Sequence, residues 1–307
     1  MFERSQSGCS SGLHFHRIVE YLVYSSVYLS FAAGAMVFIS CILQGVTFSL
    51  IVASLGMLIT YAIYNLNRKT DESEDAINHS HRYAFTKKYE KPLYLSGIGA
   101  YVLALVISGF YGFSVFFISA IPLMAGLIYS TPLLPVKCRY RRLKEIPVVK
   151  SLLVTIAWAL PPALLPVYVS GATPSIITLA VILFFSSLVF INTVLFDIRD
   201  MDGDRALGIH TIPVLLGISR TKTLLTRVNI IFGISVLSLL LISHISPIYI
   251  CLIVIGMIYA HAYIFLFHNV STGNLKCDVI ADGQFIVIGL GVIGVIAAFR
   301  TVAMLQL

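Results

Sequence analysis

The stretch Asn67–Arg82, N-R-K-T-D-E-S-E-D-A-I-N-H-S-H-R, is where a long apolar segment gives way to packed acids and bases. Asn67, Asp71 and Asp75 lie four residues apart, so on a helix they form one polar stripe that drifts slowly around the axis. Such a stripe aims several oxygens at one place. Hard divalent cations, magnesium above all, take oxygen ligands and keep one or two protein carboxylates, completing their shell with water and substrate phosphate. Taken alone, the stretch reads equally well as a solvated loop between two membrane helices.

A second copy decides between them. Asp197–Gly217, D-I-R-D-M-D-G-D-R-A-L-G-I-H-T-I-P-V-L-L-G, also follows directly on an apolar run. Asp200 and Asp204 repeat the four-residue spacing, each 129 residues after its counterpart, Asp71 or Asp75. Two acid clusters at one offset, both at the same end of an apolar segment, imply an internal repeat whose halves face each other across a shared site.

Composition fixes the solvent. With 58% hydrophobic residues, 11% charged residues and a mean hydropathy of +0.92, the chain is far more apolar than a soluble domain. Continuous apolar blocks predict helices rather than the short alternating segments of a barrel. Nine blocks are long enough to span: near 21–43, 46–66, 93–112, 114–130, 149–169, 174–196, 224–243, 246–268 and 283–305. The expected fold is therefore all-α, a polytopic bundle of about nine transmembrane helices in a single domain over 1–307. Two four-helix repeat units are expected over about 17–130 and 149–268, with a last helix over 283–305 and a flexible, Ser/Gly-rich cytoplasmic tail over 1–16.

The bases orient the bundle. Of the 21 lysines and arginines, all but Arg300 come before the first span or follow the second, fourth, sixth and eighth, in the loops or at the start of the next span. The positive-inside rule places those loops in the cytoplasm and the carboxyl terminus outside, in the cell membrane with membrane lipid as the surroundings. The net charge of +7 is accordingly a membrane and phosphate signal, and nucleic acid is not an expected partner. The first apolar block reads as a signal anchor that stays. Five cysteines without C-x-x-C spacing indicate neither a disulfide framework nor a thiolate metal site.

The cytoplasmic loops carry the chemistry. The loop from Tyr129-Ser130-Thr131-Pro132 to Lys150 joins helix-breaking prolines to a basic cluster suited to an anion. Arg139 and Arg141 read as ordinary anchoring charges, whereas Lys150 opens a span beside apolar residues, where a charge needs a partner or a purpose. His79 and His81 read as interfacial residues rather than ligands, since their alternation does not share a helix face. Asp278 and Asp282, a third four-residue pair, read as dipole caps at the start of the last span.

The pattern Asn67-x-x-x-Asp71-x-x-x-Asp75 after span two, with D-x-x-D-x-x-G-D-R-x-x-G-x-x-T-x-P-V-x-x-G after span six, resembles the paired aspartate motifs of the UbiA-type intramembrane prenyltransferases. The resemblance covers nearly the whole chain and includes the Tyr129-Ser130 turn. It implies that a polyprenyl diphosphate is bound through magnesium between the two motifs and that its prenyl group is passed to a lipophilic acceptor, of aromatic quinone-precursor type. On that resemblance Asn67, Asp71, Asp75, Asp200 and Asp204 would hold the metal, with Asp197 in addition, and Asp71, Asp75, Asp200 and Asp204 would be catalytic. Two departures stand out: Arg68 occupies a position where the family commonly has Asp, and K-K-Y-E-K-P-L-Y-L-S-G replaces a common R-P-x-x-x-G.

Charge then dictates the division of labour. Ionising an allylic diphosphate leaves growing negative charge on pyrophosphate, which metal ions and bases stabilise while a cation develops on carbon. Lys88, Lys91, Lys150, Arg199 and Arg205 are the candidate phosphate contacts, with Tyr129 and Ser130 beside them. Tyr61, Tyr64, Phe190 and Phe196 lie near the motifs, where aromatic faces shield a cation from water. Two further readings stay open: a terpene cyclase that closes the cation on itself, and a transporter of ions or phosphate, which would place charges in mid-span.

Overall fold

The computed structural model describes residues 6–70, 72–132, 135, 142–270 and 274–305. Asp71, Lys137, Arg139, Arg141 and the side chain of Ser130 lie outside what is described. Among the described residues the chain is helical, with one 3-10 turn at Leu143–Glu145 and no strand. The first half runs α1 (Gln6–Tyr24), α2 (Val27–Gln44), α3 (Leu50–Thr70), α4 (Glu72–Asn78), α5 (Ser80–Lys88), α6 (Glu90–Phe110) and α7 (Phe113–Ser130). The second runs α8 (Val149–Val169), α9 (Ile176–Arg199), α10 (Met201–Ala206), α11 (Ile212–Leu216), α12 (Ile218–Ile242) and α13 (Pro247–Val270), followed by α14 (Asn274–Asp282) and α15 (Gln284–Leu305). With α1 set aside, α2–α7 and α8–α13 each run as two long helices, two short ones and two long ones, with an acid motif where the second long helix, α3 or α9, ends.

Seven helices among the described residues are long and apolar enough to cross a membrane: α2, α3, α6, α8, α9, α12 and α13. An eighth crossing is the pair Leu275–Asp282 and Gln284–Val295, bent by 43°. The remaining expected span, 114–130, is a shorter apolar helix, Phe113–Tyr129. The tail expected to be flexible differs as well, because Gln6–Gly12 forms the first turns of α1. That helix stops where Ser26 adopts a left-handed φ of 66°, which turns the chain into α2.

The long helices close a ring. α2, α3, α6, α7, α8, α9, α12, α13 and α15 pack each on the next, α15 returns to α2, and α2 also lies against α8 and α9. Two cores result, each centred on one half, with α2 lending Met36, Ile39 and Leu43 to the second and α8 lending Leu165 to the first. Val37, Leu55, Ile59, Tyr101 and Ala104 anchor the first; Phe185, Leu188, Ile191, Leu195 and Leu225 anchor the second. The outward faces stay apolar, with Leu50, Phe110, Phe113 and Phe265 between 76% and 87% exposed, as suits a hydrocarbon surround. Polar groups inside are used as glue. Gln44 donates to the Ala163 carbonyl at 2.8 Å and accepts from Thr178 at 2.6 Å, tying α2 to α8 and α9.

Two local features place the acids. Gly203 on α10 packs so closely on α4 that a Cβ there would strike the amide oxygen of Asn78, so the two short helices touch. At the bend before α15, the Tyr28 hydroxyl donates to the Val279 carbonyl at 2.8 Å, and a Cβ on Gly283 would collide with that hydroxyl. Glycine there lets α14 end close against α2, with its acids turned inward.

Candidate active site

The two motifs meet at one end of the ring. The expected single stripe is split between helices: Asn67 sits on the last turn of α3 and Asp75 on α4, while Asp197 closes α9, Asp200 lies at the junction and Asp204 is on α10. What joins them is charge. Arg199 donates from Nε and Nη2 to both oxygens of Asp200, at 2.7 and 3.1 Å, and from Nη1 to Asp278 at 2.6 Å. His79, from the end of the first motif, brings Nε2 to 2.9 Å from Arg199 Nη2 and 3.3 Å from Asp200. It accepts from the first or donates to the second according to its tautomer.

Two further pairs flank this cluster. Arg82 donates to Asp75 at 2.7 Å, and Lys150 donates to Asp197 at 2.8 Å, with Asp204 among the charges acting on it. The lysine that opens α8 therefore has the partner its apolar position requires. Burial lowers the His79 imidazole from its ordinary value, against the pull of Asp200. Burial pushes the Asp200 carboxyl up, but the His79 hydrogen bond and the Arg199 charge outweigh it and hold the group well below the usual carboxylate range.

Beside these pairs lies a cavity of about 270 Å³. Its charged end carries Asn67, Arg68, Asp75, Arg82, Arg199, Asp278 and Asp282. Its apolar walls come from Tyr28 and Leu29 on α2, Ile63 and Tyr64 on α3, Pro122 and Tyr129 on α7, Leu153 and Trp158 on α8, and Phe196 on α9. Arg199 stacks over the Phe196 ring at 4.6 Å, and Tyr64 meets Trp158 edge to face at 5.6 Å. Behind that aromatic pair a second, smaller cavity of about 40 Å³ continues between α2, α3 and α8.

Several expected residues stand elsewhere. Lys88 and Lys91 are exposed and off the cavity, and Arg205 faces solvent, pairing with Asp202 at 3.4 Å. Lys150, Asp197, Asp200 and Asp204 stand behind the lining rather than in it. Tyr61 turns away to bond Ser96 at 2.8 Å, and Phe190 packs against the second core. Conversely, Arg68, Arg82, Tyr28 and Trp158 line the cavity although the motif reading assigned them nothing. His79 is 3% exposed and inside the cluster, not interfacial. Asp278 and Asp282 are not caps: they fall in the middle and at the last residue of α14, where a carboxylate gains nothing from the helix dipole. Their four-residue spacing, shared with both motifs, was the signal that they belong here.

The donor set suits a hard cation. Asn67, Asp75, Asp278 and Asp282 put only oxygen donors on the cavity beside the arginines, while no three His, Cys, Asp or Glu side chains converge on one point among the described residues. That is the arrangement a magnesium ion needs when phosphate and water complete its shell.

The UbiA prenyltransferase family model matches residues 23–277. Among solved structures, a UbiA homolog from Archaeoglobus fulgidus bound to DMAPP and Mg2+ is 19% identical, with 90% of this chain and 99% of that chain covered and a TM-score of 0.61. The apo UbiA homolog from Aeropyrum pernix K1 is 15% identical over 90% and 98%, with a TM-score of 0.67. A structure described for digeranylgeranylglyceryl phosphate synthase in membranes is 17% identical over 92% and 99%, with a TM-score of 0.59. No individually curated protein matches. At these identities the structures establish a common helical architecture. With a family match over most of its length and paired acid motifs at the ends of α3 and α9, the chain belongs to the UbiA prenyltransferase family.

Proposed function

We propose that the protein transfers the prenyl group of an allylic polyprenyl diphosphate to a lipophilic, electron-rich aromatic acceptor of quinone-precursor type inside the membrane, releasing pyrophosphate. The observation that carries this reading is the cavity itself. One end gathers three arginines, three carboxylates and Asn67, and the rest is apolar and aromatic. Such a pocket complements an amphiphile with an anionic head and a hydrocarbon tail. The DMAPP and Mg2+ bound to the Archaeoglobus homolog are of the same chemical kind.

Asn67 and Asp75 on the lining, with Asp71, which lies outside the described residues, and with Asp200, Asp204 and Asp197 from behind the lining, are the oxygen donors proposed to hold magnesium. When bound, the ion supplies Lewis-acid stabilisation of the departing diphosphate. The chain's own residues do the rest. Arg82 and Arg199 place fixed positive charge at the head-group end, so that charge developing on the leaving oxygens is met without reorganisation. As the C–O bond to the diphosphate breaks, Tyr64, Trp158 and Phe196 present π faces to the carbon cation and exclude water. The acceptor carbon then bonds to the prenyl carbon and loses a proton. Lys150 and Asp197 neutralise each other beneath the site and keep α8 fixed against α9.

The test is direct. Purified protein with magnesium and prenyl diphosphates should release pyrophosphate only from allylic donors, and an aromatic acceptor should accelerate release and be recovered prenylated. A cyclised hydrocarbon without acceptor dependence would assign the protein to the cyclases, and no release from any donor would end the enzymatic reading.

A further inference from the structure

The cavity holds three arginines, and two are already spoken for: Arg82 by Asp75 at 2.7 Å, and Arg199 by Asp200 and Asp278 at 2.7 and 2.6 Å. Arg68 differs. It has no ion pair among the described residues: its Nη2 reaches only the Val23 carbonyl, at 3.5 Å, and its Nη1, like Arg82 Nε, is buried with no hydrogen-bond partner among them. A guanidinium cannot escape this by losing its proton. A buried charge left unpaired is costly, and no ion pair joins Arg68 to a carboxylate among the described residues, since Asp75 bonds Arg82 and Asp278 bonds Arg199. The group lies on the cavity wall beside Asn67 at the polar end. Planar, forked and always charged, it matches a phosphate better than any neutral ligand does.

We propose that Arg68 is a binding residue for the diphosphate head group, with its free Nη1 donating to a phosphate oxygen. This deepens the prenyl diphosphate reading above and rests on it for the substrate, but the anion site is a claim that can be tested separately. The contact is to the head and not to the tail, so its loss weakens every donor by the same factor whatever its chain length.

Inorganic pyrophosphate is the probe, titrated against the purified full-length protein in detergent and followed by calorimetry or thermal shift, with and without magnesium. Arg68→Gln is expected to weaken binding about 10- to 100-fold, the range for a hydrogen bond to a charged group. Arg68→Lys, which keeps the charge but loses the fork, is expected to recover part of that loss, which a purely structural role would not give. In the wild-type protein pyrophosphate should shield Arg68 from phenylglyoxal, read by peptide mass spectrometry, so the claim does not depend on the variants folding. Unchanged pyrophosphate affinity in Arg68→Gln, or equal modification of Arg68 with and without pyrophosphate, overturns the proposal. If that happens while the wild type still releases pyrophosphate from allylic donors, the Arg68 assignment alone fails. If Arg68 is shielded and no donor is turned over, the anion site stands and the transferase reading falls.

Discussion

Asp278 and Arg199 bond at 2.6 Å with each side chain only 7% exposed, so removing one leaves the other's charge in a nearly dry site. Asp278→Ala should therefore cost stability as well as turnover, by about 2–3 kcal/mol, since Asp200 still holds the other side of the guanidinium. Thermal unfolding in detergent measures the first loss and pyrophosphate release the second. Asp202→Asn, 91% exposed and paired loosely with Arg205, should leave both unchanged. A stable, fully active Asp278→Ala protein would remove α14 from the site. At this scale the sequence showed which residue types matter but not their roles. Asp200 and Asp75 were legible from spacing, whereas the engagement of Asp278 with Arg199, 79 positions away, depends on how the ring closes. Arg205 interleaves the second motif as plainly as Arg199 does, yet it faces solvent, because a six-residue helix turns the chain between them.

Among the elements, the short helices are what bring one motif to the other, and glycine is the means. Gly203 has no side chain where Asn78 approaches, and α10 rests on α4 at that point. Gly203→Ala should push the helices apart, costing about 1–3 kcal/mol as overpacking does, and should reduce turnover by disturbing the His79 contact with Asp200. Asn78→Ala in the same chain should restore both by vacating the space. Failure of that second substitution to rescue, in a protein that still inserts and folds, would show that α4 and α10 do not meet there. The long helices were legible from apolar length alone, with ends within six residues of those observed, although the first expected block runs across the turn at Ser26. The breaks were not. Hydropathy over 283–305 cannot register that the last crossing bends by 43° where Tyr28 reaches Val279, nor that Ser/Gly-rich residues extend α1.

For the whole molecule, the repeat and the charge asymmetry make one claim between them. α4 and α5 follow the second long helix of the first half, α10 and α11 follow that of the second, and His79 and Asp200 touch at 3.3 Å, so both motifs lie at one end of the ring. The bases gather before the first span and after the second, fourth, sixth and eighth, with Arg300 alone elsewhere. Lysine and arginine resist translocation, so that end should face the cytoplasm, with the turns after α6 and α8 on the opposite side. In a background with the five native cysteines replaced, single cysteines at Ala84 and Asp202, both exposed, should react with an impermeant maleimide only after the membrane is opened or inverted. Cysteines at Tyr111 and Ser170 should react in sealed cells. Labelling of positions 84 and 202 from opposite sides would break the shared site, since neither Pro122 inside α7 nor the bent last crossing can carry one motif across the membrane while His79 stays on Asp200. Labelling of both from outside would keep the site whole and turn it to the other face, where a charged diphosphate would have to be supplied from the exterior.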